Sequence, residues 1–170
     1  GSEPRHLPVL GTGDKILTSD DFLRLTSLPK RVVIIGGNVI GVEFATFLAE
    51  MGSAVTLVEI LDRIIPYEDE EAAELLEQEL KRLGVVIHTA TNVREAEETP
   101  DGIRLRADKG SNAISLEGDC VLLCAGRQPR LYPDQLAAVG IAYSQRGIVV
   151  DPHMRTSVAA MLLAGIGITA

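Results

Sequence analysis

A glycine turn between an apolar run and a helix-spaced run has the residue types of a phosphate-binding site. The segment from Val32 to Ala45 reads VVIIGGNVIGVEFA. A strand, a glycine turn and a helix in immediate succession direct the unpaired N–H groups at the helix start toward one crevice, where a pyrophosphate can bind without a lysine. The residues expected to contact the phosphates are Gly36, Gly37, Asn38, Val39, Ile40 and Gly41.

A carboxylate at the end of the next apolar run has the position that a sugar ligand requires. Glu59 lies 23 residues after Gly36, near the end of AVTLVEI. From there it can accept hydrogen bonds from the hydroxyls of an adenosine ribose. It would also repel a 2′-phosphate. Because the next arginine, Arg63, is four residues further on, the pattern favours NAD over NADP.

The glycine pattern departs from G-x-G-x-x-G at its middle position. In that register the three positions are Gly36, Asn38 and Gly41. The middle glycine normally lets the backbone approach the pyrophosphate with no side chain between them. Asparagine tolerates unusual backbone angles, so the turn can still form, but its side chain occupies space that the phosphates would use. We expect a weakened affinity for the dinucleotide.

Two other interpretations of these residues stay open at this point. Gly36 and Gly37 could form an ordinary tight turn, with Glu59 as a solvated strand end. Domains that bind S-adenosylmethionine also share the order of strand, glycine turn, helix, strand and acid.

The elements that must hold this turn alternate between strands and helices. Apolar β-branched runs stopped by glycine are typical of strands buried on both faces, and apolar residues three and four apart are typical of helices. The acidic run at 68–71 and the basic residues at 81–82 complement the dipole of one helix, which favours helix stabilisation over a metal site. The predicted order is strand 32–35, helix 40–51, strand 54–60, helix 68–83 and strand 85–88.

The pattern then changes to short alternating stretches separated by turn sequences. Too little chain lies between them for crossover helices, so they predict a three-stranded antiparallel meander. Residues 1–30 are rich in proline and glycine and predict an extended lead-in, with one helical turn at 19–25. The predicted elements are meander strands at 93–98, 103–107 and 114–117, a fourth buried strand at 120–125, a weak helix at 133–139 and further strands at 148–150 and 161–164.

The two cysteines predict buried thiols rather than a disulfide. Cys120 and Cys124 lie four residues apart in the apolar run CVLLCA. On a strand they would point to the same face about 13 Å apart, too far to bridge. We expect small buried hydrophobes in a reducing compartment, and hence a cytoplasmic protein.

Composition excludes several classes of protein. Among 170 residues, 16 Lys and Arg stand against 24 Asp and Glu, giving a net charge of −8, which argues against a nucleic-acid surface. No stretch reaches the roughly 18 apolar residues that a membrane span needs. The three histidines, at positions 6, 88 and 153, lack the spacing of metal ligands. The sequence shows no recognisable pair of a nucleophile and a base, so we predict no catalytic residues.

Taken together, these motifs resemble the NAD-binding domain of the pyridine nucleotide–disulfide oxidoreductases, especially the dihydrolipoamide dehydrogenase type. VVIIGGNVIGVEFA is similar to the family's strand-G-G-G-x-I-G-x-E-x-A, and VTLVEILDRIIP to its second strand and following loop. CAGRQP, starting at Cys124, is similar to A-x-G-R-x-P. The opening GSEPR resembles the segment that leaves the family's FAD domain, and DPHMRTSV from Asp151 the segment that returns to it.

The resemblance implies a three-layer, Rossmann-like α/β domain. A parallel sheet of about four strands would have helices on one side and the antiparallel meander on the other. All of 1–170 would form a single NAD-binding domain: 1–30 as lead-in from an FAD domain, 31–150 as nucleotide-binding core and 151–170 as the segment returning toward the FAD domain.

Roles for individual residues follow from the same resemblance. Gly36, Gly37 and Gly41 would cradle the pyrophosphate, and Glu59 would hold the adenosine ribose. Glu43 would lie near the nicotinamide, or else be a polar residue on the first helix turn. Gly126 would line the nicotinamide side, and Arg127 would face the dinucleotide or anchor a loop through a salt bridge.

The function implied is to position nicotinamide for hydride exchange with FAD in a larger enzyme. FAD would bind that larger enzyme, the parent, and not this chain. The partners of this chain would be the dinucleotide and the FAD and interface domains of the parent, which would be a homodimer. Ile166 stands where the family has its flavin-binding aspartate. With Asn38, it keeps open a non-catalytic scaffold with a degenerate nucleotide site. In either case we expect no activity from this chain alone.

Overall fold

The computed structural model describes residues 1–159, 161–162 and 168–169. The first elements are β1 (Ser2–Pro4), a 3₁₀ helix (Pro8–Leu10), β2 (Ile16–Thr18), α1 (Ser19–Phe22), β3 (Arg31–Ile35), α2 (Val39–Glu50), β4 (Ala54–Val58), α3 (Glu70–Arg82) and β5 (Val86–His88). They are followed by β6 (Thr91–Thr99), β7 (Gly102–Lys109), β8 (Asn112–Gly118), β9 (Cys120–Leu123), β10 (Arg127–Pro129), α4 (Pro133–Ala138), β11 (Tyr143–Ser144), β12 (Gly147–Val149) and β13 (Ile168–Thr169).

The chain forms two compact units, one of residues 6–126 and the other of residues 1–5 with 127–170. The 6–126 unit contains a parallel sheet of five strands in the order β2-β9-β3-β4-β5. Because β3 lies at the centre, the chain crosses over to β4 and β5 on one side and reaches β9 on the other. The carboxyl ends of β9, β3 and β4 are therefore adjacent, which is where open α/β sheets bind ligands.

The alternation of side chains along β3 explains the layers. Val32 and Ile34 pack with the helices, whereas Val33 and Ile35 pack with the meander, and all four are buried. A strand buried on both faces must be apolar at every position, as this one is. The structure confirms the predicted three-layer, Rossmann-like α/β fold, with helices on one side of the sheet and the meander on the other.

The sheet has five parallel strands where the sequence predicted about four. The additional edge strand, β2, pairs with β9 through Ile16 opposite Val121. It lies inside the segment predicted to be an extended lead-in. A three-residue strand has too few residues to show a periodicity, so its pairing with β9 decides its conformation. The predicted helical turn at 19–25 contains α1, which is capped by Thr18: Thr18 Oγ1 accepts from the Asp21 amide.

The two long helices begin and end at capping residues. Asn38 caps α2, whose buried face carries Val42, Ala45 and Leu48. Asp69 caps α3 by accepting a hydrogen bond from the Ala72 amide. The acidic residues before and within the first turn of α3, and Lys81 and Arg82 in its last turn, match the helix dipole as the sequence predicted.

The meander β6-β7-β8 covers the other face of the sheet. Its inward residues Val93, Ile103, Leu105 and Ala107 are buried against that face. Its outward face carries exposed cross-strand ion pairs, such as Arg104 with Glu117 at 2.9 Å, and exposed pairs of this kind contribute little to stability. The meander therefore completes the core on this face of the sheet.

The second unit contains β1 paired with β10, and β11 paired with β12, with β13 parallel to β12. Helix α4 and β12 fall at the predicted helix and at the strand predicted for 148–150. At the strand predicted for 161–164, Leu162 forms only an isolated bridge with Arg155. Residues 163 and 164, and Ile166 with its interpretation, lie outside the described residues.

Both cysteines are buried free thiols, as predicted. Cys120 and Cys124 are 6% and 4% exposed and belong to the cluster on the helix side of the sheet. Burial raises the pKa of Cys124 to about 12 and, with a smaller contribution from Asp119, that of Cys120 to about 11. The thiolate is the reactive form.

We therefore expect a disulfide reagent to modify neither thiol of the folded protein at pH 8, and to modify both after unfolding in guanidinium. Raising the pH from 7 to 9 should leave labelling of the folded chain very slow, because the thiolate fraction stays small below these pKa values and both sulfurs are buried. Rapid labelling of one equivalent under native conditions would contradict this burial.

Candidate functional site

The glycine turn lies where the ends of three parallel strands meet. Gly36 follows β3, donates its amide to the Val58 carbonyl of β4 at 2.8 Å and has φ of 110°. A Cβ on Gly36 would overlap the Cys124 carbonyl, just after β9. The backbone angle and the close approach both require glycine here.

Glu59 follows β4 and turns its carboxylate onto the glycine turn. One oxygen accepts from the Gly37 amide at 2.6 Å and the other from the Leu61 amide at 2.8 Å. The side chain is 7% exposed. Its backbone bonds His88 and Thr91 on the β5 side. Since each carboxylate oxygen can accept more than one hydrogen bond, Glu59 retains acceptor capacity beyond these two amides.

Gly37 is enclosed by the Glu59 side chain and by Ile64. A Cβ at Gly37 would lie 3.1 Å from Glu59 Cβ and 3.0 Å from a methyl group of Ile64. Its own carbonyl accepts a hydrogen bond from the Ile65 amide at 2.7 Å. Both hydrogen-bonding groups of Gly37 are therefore held by the segment that follows β4.

Asn38 bonds back to the protein from the start of α2. Its side-chain nitrogen donates to the Cys124 carbonyl at 2.7 Å, and its side-chain oxygen accepts from the Gly41 amide at 3.4 Å. The second contact is the helix cap, and the first ties the turn to the end of β9. The side chain thus replaces the missing glycine with two structural bonds and places a carbonyl oxygen at the helix N-terminus.

Three successive amides remain open at this turn. Within the described part of the chain, the N–H groups of Asn38, Val39 and Ile40 have no acceptor. Gly41 keeps the turn compact, because a Cβ there would overlap the Gly36 carbonyl. A run of unpaired amides at a helix start attracts anions. The geometry therefore fits a phosphate group beside a carboxylate that can accept from a hydroxyl.

Glu43 is exposed on α2 and lies beside an apolar cleft. The cleft has a volume of about 400 Å³ and is lined in part by Phe22, Phe44 and Phe47. The rings of Phe22 and Phe44 meet edge to face at 5.3 Å. Glu43 thus lies on the first turns of the helix, at the border of an exposed apolar surface.

Gly126 and Arg127 follow β9 at the boundary between the two compact units. Gly126 has φ of 96°, and a Cβ added there would meet nothing within 4 Å. Arg127 belongs to the other unit, where its guanidinium donates to the hydroxyl and carbonyl of Ser2 at 2.8 and 3.0 Å. These bonds join β10 to β1.

The sequence pattern did not reveal the residues that hold the turn from outside it. These are Ile64 and Ile65, which contact Gly37, and Cys124, whose carbonyl accepts from Asn38. Two of these contacts use backbone atoms, which any residue type provides. In the sequence, only the glycines at 36 and 37 indicated these contacts, because glycine is required where another part of the protein approaches the backbone closely.

Comparisons with known proteins found a matching family and related proteins. Residues 1–165 match the family model described as pyridine nucleotide-disulphide oxidoreductase. A dihydrolipoyl dehydrogenase of Bacillus subtilis is 40% identical over 159 residues, covering 93% of this chain and 34% of that protein. Dihydrolipoyl dehydrogenase 3 of Pseudomonas putida is 36% identical over 168 residues, covering 97% and 36%. The chain thus spans about a third of the length of these curated relatives.

Solved structures of other proteins share the fold. The Cu(II) complex of the HOCl-induced flavoprotein disulfide reductase RclA from Escherichia coli has a TM-score of 0.83 at 29% identity, covering 99% of this chain and 37% of that one. The water-forming NADH oxidase from Lactobacillus brevis bound to NADH has a TM-score of 0.78 at 26% identity, covering 92% and 35%. The chain belongs to the pyridine nucleotide-disulphide oxidoreductase family.

Proposed function

We propose that this chain binds NAD(H) at the glycine turn and presents the nicotinamide to a flavin held elsewhere in a larger enzyme of the dihydrolipoamide dehydrogenase type. The observation that carries the proposal is the bond between the Glu59 carboxylate and the Gly37 amide. It places a hydroxyl acceptor and the three open amides on one turn. A dinucleotide requires that juxtaposition, because its ribose and pyrophosphate are joined.

The residues fit the parts of a dinucleotide by their chemistry. The open amides from Asn38 to Ile40 would bind the pyrophosphate, and Glu59 the adenosine ribose. The same carboxylate would repel a 2′-phosphate, so we expect NADH to bind more tightly than NADPH. Glu43 and Gly126 would lie toward the nicotinamide.

The role in a larger enzyme rests on the relatives, which are about three times as long. We propose that the rest of such an enzyme supplies an FAD domain and an interface domain, and that the parent is a homodimer. The exposed apolar cleft beside Glu43 supports docking of a flavin-bearing domain there. The chain alone should not turn over, because hydride from NADH has no acceptor in it. NADH-dependent reductase activity of the purified chain without added flavoprotein would contradict this.

The location is proposed to be the cytoplasm, because two free buried thiols suit a reducing compartment. Within the described residues, the helices are all too short or too polar to cross a membrane.

Titration calorimetry of the chain with NADH and NADPH tests the binding proposal. We expect saturable binding of NADH and weaker binding of NADPH. No heat of binding with either ligand at millimolar concentration would overturn the proposal. That result would favour a scaffold with a degenerate site, an alternative that rests on Asn38 in place of the middle glycine. Binding of S-adenosylmethionine in place of NADH would favour the remaining alternative, which leaves CAGRQP without a role.

The Asn38→Gly variant should bind NADH severalfold more tightly than the wild-type chain. The substitution removes the side-chain oxygen from the Gly41 amide and opens space for a phosphate, whereas a glycine cap costs only a few tenths of a kcal/mol. Loss of the bond to the Cys124 carbonyl should lower the melting temperature slightly. Calorimetry measures the affinity, and Asn38→Ala is the matched control because it removes both bonds but keeps a Cβ. Weaker binding by Asn38→Gly than by the wild type would show that the asparagine assists the ligand.

A further inference from the structure

The segment that follows Glu59 folds back over the glycine turn and holds it by one backbone bond. The Ile65 amide donates to the Gly37 carbonyl at 2.7 Å. In a trans peptide the carbonyl and the next amide point in opposite directions. Fixing the Gly37 carbonyl on Ile65 therefore fixes the Asn38 N–H on the opposite side of the same peptide plane. This is the first of the three open amides.

Ile65 makes that bond from a backbone conformation that isoleucine rarely adopts. Its φ is 36°, and a β-branched residue in this region is strained. Such strain persists only where the surroundings hold it. Ile65 is 9% exposed and its neighbour Ile64 is fully buried, so core packing provides part of the hold.

Arg63 provides the other part from within the same segment. Its guanidinium donates to the Pro66 carbonyl at 2.7 Å and to the Glu68 carbonyl at 3.2 Å. The Glu68 amide in turn donates to the Ile65 carbonyl at 3.0 Å. The side chain of Arg63 therefore closes a ring of hydrogen bonds around Ile65. Its guanidinium binds backbone carbonyls of its own segment and not a ligand.

We propose that Arg63 is a positioning residue for the diphosphate: it holds Ile65 in its strained conformation, and Ile65 orients the Gly37–Asn38 peptide so that the Asn38 amide faces the ligand. The inference rests on the proposed function, since it assigns a role in the same nucleotide site. It assigns Arg63 to the pyrophosphate half of the ligand and not to the choice between NADH and NADPH, which depends on Glu59.

The test compares Arg63→Met, which keeps an apolar stem but no donor, with Arg63→Lys, which keeps a cationic donor. Arg63→Met should weaken NADH binding by roughly fivefold to tenfold, the equivalent of one hydrogen bond. NADPH binding should weaken by the same factor, so that the preference between the two is unchanged. Arg63→Lys should restore most of the affinity. Arg82→Met on α3, which also loses an arginine donor, is the matched control and should bind as the wild type does.

The amide resonance of Asn38 gives a readout that a merely structural role would not move. In the wild-type chain NADH should shift it strongly, and in Arg63→Met it should start from a different position and shift less. Wild-type affinity in Arg63→Met, or a changed preference between NADH and NADPH, would overturn the positioning role while leaving the proposed function intact. If the wild-type chain itself fails to bind NADH, the proposed function fails and the positioning role fails with it. If Arg63→Met does not fold, Arg63→Gln replaces it, because glutamine keeps a donor on a shorter side chain. Its affinity for NADH should be lower than that of the wild type but still measurable. Wild-type affinity in Arg63→Gln would overturn the positioning role.

Discussion

Replacing Glu59 with alanine should abolish detectable NADH binding and destabilise the chain by about 2–4 kcal/mol. The binding loss follows because the ribose loses its acceptor. The stability loss follows because the buried Gly37 amide and the part-buried Leu61 amide lose their acceptor together, and an unsatisfied buried donor costs about 1–3 kcal/mol. Thermal unfolding and calorimetry measure the two effects. For a chain of this size each kcal/mol corresponds to about 2–4 °C of melting temperature.

Two further variants separate ribose recognition from the support of the turn. Glu74→Ala removes an exposed glutamate from α3 and should leave both stability and binding unchanged. Glu59→Gln keeps one acceptor oxygen but turns a donor toward a backbone amide, and it removes the negative charge. It should be destabilised less than Glu59→Ala and should lose the preference for NADH over NADPH. If Glu59→Ala folds with wild-type stability and binds NADH normally, the carboxylate has neither role.

The central sheet and the meander could be predicted because the residue pattern indicates a strand at every position along them. Each residue from Val32 to Ile35 is apolar, which only a strand covered on both faces requires. The meander alternates, and its turn sequences leave no room for helices. By contrast, β2 has three residues and follows a segment rich in glycine and proline. Its place at the sheet edge comes from β9, so local sequence carries no sign of it.

The sequence predicted that Gly36 and Glu59 belong to one candidate site, but it did not predict the contacts that support them. Gly36 and Glu59 have residue types that a phosphate turn and a sugar acceptor require. The use of both Glu59 oxygens by backbone amides, and the bond from Ile65 to Gly37, depend on how the segment after β4 folds back. A positive φ at an isoleucine contradicts local preference, so no rule about residue type predicts it. Long-range packing imposes the conformation.

A large loss of stability from one added methyl group should occur at Gly36, within the glycine turn. Gly36→Ala adds a Cβ where φ is 110° and where the Cys124 carbonyl already lies. The backbone strain and the overlap should together cost about 2–6 kcal/mol, since each contributes about 1–3 kcal/mol and the atoms that the Cβ would meet are backbone atoms, which cannot move aside as a flexible side chain could. Denaturant unfolding measures the loss. Because Gly36 is part of the turn, displacing it also shifts the open amides that follow it, so any folded fraction should bind NADH poorly.

Gly52→Ala is the control that isolates the overlap from the backbone angle. Gly52 ends α2 with φ of 89°, and a Cβ there would meet nothing within 4 Å. Its substitution should therefore cost only the backbone strain, about 1–2 kcal/mol, and should leave NADH binding intact. The difference between the two variants measures how closely the glycine turn is packed against the end of β9. Equal losses at the two positions would mean that the turn has room for a side chain, and the close approach that makes Gly36 necessary would be disproved.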